Sequence, residues 1–313
     1  MNETGIEWVL NPDGSQGYTW NPITGCLNHD NGLCRGGGFP CYAYKLANGR
    51  LKSRYLANTN IARSGYSIPK RLDELPMDES DPFYPRFWEE RLDQILHRRI
   101  DSELKGVFCC DMSDLFGIGI PEDWTKQILA AIEANFYDRF YLLTKQPQNL
   151  IKFSPFPENA WVGVTATNEA MFSIASNQLA QINARKKFYS FEPLLSWDFK
   201  ADWDKWNKCL IDRLKAVDWL IIGACTGTYK DMLALHVRLH GGTPANQLMR
   251  LENGMYSLQP PIEWLREIVE TADKAGIKVF LKDNLVPSLY SHSYHGWAWT
   301  GRINPKLRQE MPA

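Results

Sequence analysis

Three of the seven cysteines lie together early in the chain, in Cys26-Leu27-Asn28-His29-Asp30-Asn31-Gly32-Leu33-Cys34-Arg35-Gly36-Gly37-Gly38-Phe39-Pro40-Cys41, with the spacing Cys-x7-Cys-x6-Cys. Three thiolates can each hold one iron of a 4Fe–4S cluster and leave the fourth iron open to a chelating ligand. A structural zinc ion would need a fourth protein ligand, for which His29 is the candidate. Plain thiols are the third reading, and the spacing alone leaves all three open. Gly36-Gly37-Gly38 gives the backbone freedom to wrap a bulky group. Cys109 and Cys110 are adjacent inside an apolar run, and Cys209 and Cys225 stand alone. The odd count, and an N-terminus (Met1-Asn2-Glu3-Thr4) without the features of an export signal, argue against a disulfide framework. They set the expectation of a reducing, cytoplasmic setting.

A second set of chemically capable residues follows short apolar runs. Gly106–Cys110 leads into Asp111-Met112-Ser113-Asp114, and Phe140–Thr144 into Lys145-Gln146. Ala160–Val164 leads into Thr165-Ala166-Thr167-Asn168, and Lys187–Phe191 into Glu192-Pro193. Trp219–Gly223 leads into Cys225-Thr226, and Ile277–Leu281 into Lys282-Asp283. Tyr18-Thr19-Trp20 supplies a first strand just ahead of the cysteine loop. These runs are continuous, not alternating, as expected of strands covered on both faces. In parallel α/β folds, functional side chains collect at the C-terminal ends of the strands. Lys145, Glu192 and Lys282 stand out, because a charge at a buried strand end needs a partner or a ligand. The structural alternative for any one of these polar residues is a helix cap or an ordinary loop position.

Helix-period segments lie between the runs. Asp123 to Ala134 places Trp124, Ile128, Leu129 and Ile132 on one face, and Asn168 to Asn183 and Pro261 to Ala275 read similarly, the last with Gly276 as its stop. Repeated strand–helix–strand alternation predicts an α/β fold with right-handed crossovers. Six to seven such units favour a partial or complete parallel (β/α) TIM-like barrel, with a doubly wound sheet as the alternative. We expect a single domain over 1–313, with inserted loops at about 64–85 and 226–260.

The charges nearly cancel, 35 Lys+Arg against 36 Asp+Glu, which excludes a generally basic nucleic-acid-binding surface. A local exception follows the cysteine loop: Lys45, Arg50, Lys52, Arg54, Arg63, Lys70 and Arg71 occur with no intervening Asp or Glu. Such a face suits phosphate; a solvated helix face explains it equally well. No apolar stretch reaches the ~20 residues of a membrane span. Twelve Trp and 18 Pro suggest aromatic-lined loops.

The motif Trp20-Asn21-Pro22-Ile23-Thr24-Gly25-Cys26, followed by Cys41-Tyr42-Ala43, resembles the opening of the phage-associated three-Cys-motif proteins. That uncharacterised family is similar to a divergent branch of the radical S-adenosylmethionine (SAM) superfamily. The resemblance continues through Met112-Ser113-Asp114-Leu115-Phe116, Leu143-Thr144-Lys145-Gln146-Pro147, Trp161–Thr165, Glu192-Pro193-Leu194-Leu195, Asp218–Gly223 and Phe280-Leu281-Lys282. It implies a radical-SAM-type barrel, a 4Fe–4S cluster on Cys26, Cys34 and Cys41, and reductive cleavage of SAM with hydrogen abstraction from a substrate. It further implies an electron donor such as flavodoxin or ferredoxin. By strand order, Asp111, Ser113 and Asp114 would receive the SAM ammonium and Lys145 its carboxylate. Thr165, Thr167 and Asn168 would meet the ribose, and Glu192 and Lys282 would face substrate or SAM. Tyr42 or Phe39 would shield the cluster.

The sequence departs from the family in two places. Arg35 to Pro40 enlarge the gap between the second and third cysteines, which the family keeps at two residues. Gly223-Ala224-Cys225-Thr226-Gly227 stands where the family tends to have Gly-Gly-Glu-Ser-Gly, so a carboxylate is missing. Cys225 reads either as a substrate-side thiol or as a small filler. For substrate, a phage association and the basic run point to a nucleoside or nucleic acid. Two other classes remain: a zinc-stabilised nucleic-acid-binding or nuclease-like protein, and a barrel scaffold without radical chemistry.

Overall fold

Each apolar run forms a strand close to where its composition places it, because a run buried on both faces pairs its backbone only within a sheet. In the computed structural model the described residues are 1–62, 77–97, 103–197, 210–242, 247–291, 298–300 and 306–312. The strands that matter for the site are β1 (Tyr18–Trp20), β2 (Gly106–Cys109), β3 (Arg139–Thr144), β4 (Ala160–Thr165), β5 (Lys186–Phe191), β6 (Trp219–Ile222) and β7 (Lys278–Leu281). Among the helices are α1 (Tyr42–Asn48), α2 (Glu122–Ala134), α3 (Glu169–Leu179), α4 (Tyr229–His240) and α5 (Ile262–Ala275). The fold is α/β with a mostly parallel central sheet.

The chain divides into two compact units. The first comprises Met1–Arg35, Cys41–Gly163 and Gln181–Lys186; the second comprises Gly36–Pro40, Val164–Ala180 and Lys187–Ala313. Strand β4 therefore begins in the first and ends in the second, and Gly36–Pro40, between the second and third cysteines of the loop, belongs to the second.

In the first unit β1, β2 and β3 are parallel neighbours, and Asn2–Glu3 pairs antiparallel with β1. Aromatic rings dominate its core: Trp8 packs on Phe108 and Tyr141 at centroid distances of 5.0 and 5.6 Å. The Trp20 indole, fully buried, donates to Arg91 O at 2.8 Å. In α2 the buried positions are Thr125, Ile128, Leu129, Ala131 and Ile132. Trp124, expected on that face, instead lies half-buried and stacks on Phe87.

In the second unit β5, β6 and β7 are parallel neighbours. Phe172 of α3 packs against Tyr189, Phe191 and Trp197. The α5 helix starts after Pro261 and stops at Gly276, whose φ of +74° is the left-handed conformation glycine adopts without a Cβ penalty. The excursion expected at 226–260 has its own order. Cys225–Gly227, Leu248–Arg250 and Tyr256–Leu258 form a small antiparallel sheet, with α4 capped by the Thr228 side chain. Of the loop expected at 64–85, residues up to 76 lie outside the described set.

Among the described tryptophans, Trp8, Trp88 and Trp197 lie in turns or loops and are nonetheless buried. Trp8, Trp20 and Trp219 are among the largest fully buried side chains, because a buried indole that finds an acceptor gains area without losing a hydrogen bond. Among the described residues, no helix is long and apolar enough to cross a membrane.

Candidate active site

In the first unit the parallel register pairs Trp20 with Cys109 and Cys109 with Leu142, so the segments leaving β1, β2 and β3 emerge side by side. Asn21 joins the first two. Its Nδ2 donates to Asp111 Oδ1 at 2.6 Å, and its Oδ1 accepts from Met112 N at 2.9 Å. Gly25 N donates to Met112 O at 3.0 Å, and Ser113 Oγ donates back to Gly25 O at 2.5 Å. The chain ahead of the first cysteine is thus zipped along Asp111–Ser113. Gly25 has φ +89°, and a Cβ there would lie 2.5 Å from both Phe83 O and Tyr84 O, so no side chain fits. Cys26 N then donates to Phe83 O at 2.9 Å. Cys34 sits in a two-residue hairpin pair with His29, and Cys41 N donates to Gly32 O at 2.8 Å just before α1. Among the described residues, Cys26, Cys34, Cys41, Cys109, Cys110 and Cys225 are not in disulfides.

The electrostatics tie these cysteines to Lys145. Burial alone would lower the Lys145 ammonium, but the surrounding Cys34, Asp114, Cys41 and Cys26 outweigh it and hold its pKa above the usual lysine value. The Asp114 carboxyl is 7% exposed and accepts from Lys145 N at 2.9 Å and from Phe116 N at 3.2 Å. Burial pushes its pKa up, while those amides, Thr144 and the Lys145 charge pull the other way. Burial, with Asp114, Cys34 and Cys41 nearby, pushes the Cys26 thiol far up, so it needs an adjacent positive centre to ionise. Asp111 is also raised by burial, against the opposing bond from Asn21. The Tyr42 hydroxyl donates to Asp111 O.

The loop brings three thiols and one imidazole into the first unit. Among the described residues, no group of three His, Cys, Asp or Glu converges closely enough to hold one metal ion. Zinc ligands must meet at one point, whereas cluster thiolates each hold a separate iron. His29, the candidate fourth zinc ligand, lies opposite Cys34 in the hairpin. Its ring packs on Tyr44 and Phe83 at 5.0 and 5.4 Å, its Nδ1 accepts from Gly32 N at 3.4 Å, and burial lowers its pKa.

The second unit builds a separate polar group by the same device. Phe191 pairs with Ile222 and Ile222 with Leu281, so Glu192, Gly223 and Lys282 leave three adjacent strand ends abreast. Lys282 Nζ donates to Glu192 Oε1, and both side chains are largely buried. A Cβ on Gly223 would lie 2.9 Å from Lys282 Cδ and 3.3 Å from Glu192 Cγ, so the glycine is what lets the pair close. Asn284 clamps the neighbouring turn, accepting from Ala224 N and donating to Ala224 O. Thr165 Oγ1 and Ser190 Oγ are buried without a hydrogen-bond partner. The other expected ribose contacts have local partners: Thr167 Oγ1 donates to Gly36 O at 3.0 Å, and Asn168 caps α3 by accepting from Met171 N at 3.0 Å.

Phe39 packs against the apolar group of Leu195, Cys225, Met232, Leu235 and Leu258. That environment is the one a small filler at Cys225 requires. Of the basic run, Lys45, Arg50, Lys52 and Arg54 are exposed, whereas Arg63, Lys70 and Arg71 lie outside the described residues, as does Cys209. Asn21 and Asn284 were not singled out from sequence. Asn21 lies inside the Trp20–Cys26 motif, which was a signal for it, but nothing local marks Asn284.

Residues 3–235 match a family described as "Protein of unknown function (DUF5131)". No curated protein matches the chain. Among solved structures, spore photoproduct lyase complexed with dinucleoside spore photoproduct is similar at 11% identity and a TM-score of 0.48, over 87% of this chain and 77% of that one. A double mutant of the lyase with bound AdoMet and dinucleoside spore photoproduct gives 12%, 0.47, 87% and 77%. A point mutant gives 11%, 0.48, 90% and 78%.

Proposed function

The chain belongs to the DUF5131 family, and from that premise and the geometry of its thiols we propose that it is a radical SAM enzyme acting on a nucleoside or nucleic acid. The observation that carries the reading is the set of three cysteines outside disulfides, Cys26, Cys34 and Cys41, close enough in the first unit to act on one another and on Lys145. In this reading the parallel α/β sheet is that of a partial (β/α) barrel.

Cys26, Cys34 and Cys41 would hold a 4Fe–4S cluster, and the positive iron would bring the half-buried Cys26 thiol down to its thiolate. Once reduced by an external one-electron donor, such a cluster with one open iron would supply the electron for cleaving the SAM sulfonium, and so for hydrogen abstraction from the substrate. Asp111 and Asp114 present carboxylates to an ammonium, and Ser113 fixes the turn that carries them. Lys145 presents a cation to a carboxylate while Asp114 anchors its backbone. In the second unit, Thr165 offers a buried hydroxyl with no protein partner, suited to a ligand hydroxyl. The Glu192–Lys282 pair offers both a proton acceptor and a donor to a substrate. Thr167 and Asn168 serve chiefly to hold Gly36 and α3. The exposed Lys45, Arg50, Lys52 and Arg54 suit a phosphate-bearing substrate.

The test is purification without oxygen followed by iron, sulfide and zinc analysis. About four irons and four sulfides per chain are expected. Stoichiometric zinc without sulfide, after cluster reconstitution has been tried, would overturn the proposal.

A further inference from the structure

Two arginines of the first unit meet at one indole. The Arg91 guanidinium lies 3.9 Å from the centroid of the Trp88 ring, and that of Arg54 lies 5.9 Å from it. Both fall within the ~6 Å over which an aromatic face holds a cation. Trp88 is a fixed platform: its N donates to Pro22 O and its Nε1 to Thr24 Oγ1, each at 2.8 Å. Arg91 Nη1 donates to Asn21 O at 2.6 Å. The pair is therefore anchored to the segment that leads into Cys26.

Neither guanidinium has an anionic partner. Among the described residues, neither Arg54 nor Arg91 forms an ion pair. Arg54 is exposed and Arg91 half-buried, so both meet solvent. Glu89 and Glu90 are exposed in the turn that carries Arg91, but neither pairs with it. Burial and the Arg54 charge push the Arg91 pKa below the usual arginine value, and Arg54 outweighs the opposing Tyr55 and Glu90. Two like charges brought this close repel, and an anion beside them removes that cost.

The surroundings indicate which anion. Arg50 and Lys52 are exposed in the same stretch, with Lys52 and Arg54 in the short helix Lys52–Leu56, and Lys45 is exposed on α1. Tyr42, at the start of α1, is 53% exposed, and its hydroxyl donates to Asp111 O. The Asp111 carboxylate accepts from the Asn21 side chain, and Asn21 O accepts from Arg91. The exposed ring and the guanidiniums thus rest on the same two segments. Basic side chains that follow a backbone, beside a ring open to stacking, are what a single nucleic-acid strand requires. We propose that Arg54 and Arg91 hold phosphates of a single-stranded nucleic acid, with Tyr42 stacking against one of its bases. The site rests on the nucleic-acid part of the function proposed above and adds where on the first unit the strand lies, but it needs no iron.

Fluorescence anisotropy of the full chain with a short labelled single-stranded oligonucleotide, over a salt series, tests it. The logarithm of the affinity falls linearly with the logarithm of the salt concentration, by about 0.7 per phosphate contact. Arg54→Gln and Arg91→Gln each lower that slope by about 0.7 and the double variant by about 1.4, whereas Arg91→Lys keeps the slope. Tyr42→Ala weakens binding roughly five- to a hundredfold at an unchanged slope, the loss of one stacked base. Lys152→Gln, at an exposed position elsewhere on the same unit, keeps the wild-type slope. Absence of oligonucleotide binding overturns the proposal, as does equal or tighter binding of the duplex of the same sequence. So does a wild-type slope in Arg54→Gln, which also serves if Arg91→Gln does not fold, wild-type affinity in Tyr42→Ala, or an equal loss of slope in Lys152→Gln. Iron and sulfide analysis keeps the two readings apart. A chain with zinc or no metal that binds the strand leaves this site standing while the cluster reading falls, and a cluster-bearing chain that binds no strand does the reverse.

Discussion

Replacing Lys145 by Met keeps most of the stem and removes the positive charge that interacts with Cys34, Asp114, Cys41 and Cys26. The ammonium is held up by Cys34, Asp114, Cys41 and Cys26 against the cost of its burial, so its loss acts on two quantities. The first is SAM affinity. A charge-assisted hydrogen bond to a carboxylate contributes on the order of 1.5–3 kcal/mol, so the variant should bind SAM roughly ten- to a hundredfold more weakly. The second is stability. Breaking a buried ion pair costs about 3–5 kcal/mol when one charge is left bare. Here Asp114 keeps its bonds from Lys145 N and Phe116 N, both backbone donors, and so the loss should fall below that range. The sign with pH follows. Asp114 has a folded pKa raised above its unfolded value, and removing the cation raises it further. The deficit is therefore complete above the folded pKa and shrinks as pH falls through it toward the ordinary carboxylate range. SAM titration into the reconstituted variant, with thermal melts at neutral and mildly acidic pH, measures both. Iron content should be retained. Wild-type SAM affinity would remove Lys145 from the binding residues, and a pH-independent deficit would refute the assigned role of Asp114.

Cys26→Ala, Cys34→Ala and Cys41→Ala should each lose the iron, whereas His29→Ala and Cys225→Ala should keep it, as read by iron and sulfide analysis. Gly25→Ala should lower the melting temperature strongly, since it adds roughly 1–2 kcal/mol of backbone strain to the clash with Phe83 O and Tyr84 O. Lys282→Met alone should destabilise by about 3–5 kcal/mol, and the Glu192→Gln/Lys282→Met double variant by less, because the double change leaves no bare buried charge. A denaturant-unfolding double-mutant cycle with no coupling would contradict the pair.

Most of the elements were legible because their signals are local. A continuous apolar run such as Trp219–Ile222 can be satisfied only by pairing within a covered sheet. Asn168 and Gly276 mark a helix start and a helix stop through their own chemistry. The sheet of 226–260 was not legible, since strands of three residues carry too few positions to show a period.

The sequence by itself determined the parallel strands, their polar C-terminal ends and the loop that holds three cysteines. Only the tertiary structure decided which polar ends meet. It set Lys145 near Asp114 and the thiols and paired Lys282 with Glu192 across the unsubstituted Gly223. Periodicity states which residues are buried, but not their neighbours. Neighbours follow from strand register and loop path, which link residues such as Asn21 and Asp111, or Ala224 and Asn284, that lie far apart along the chain.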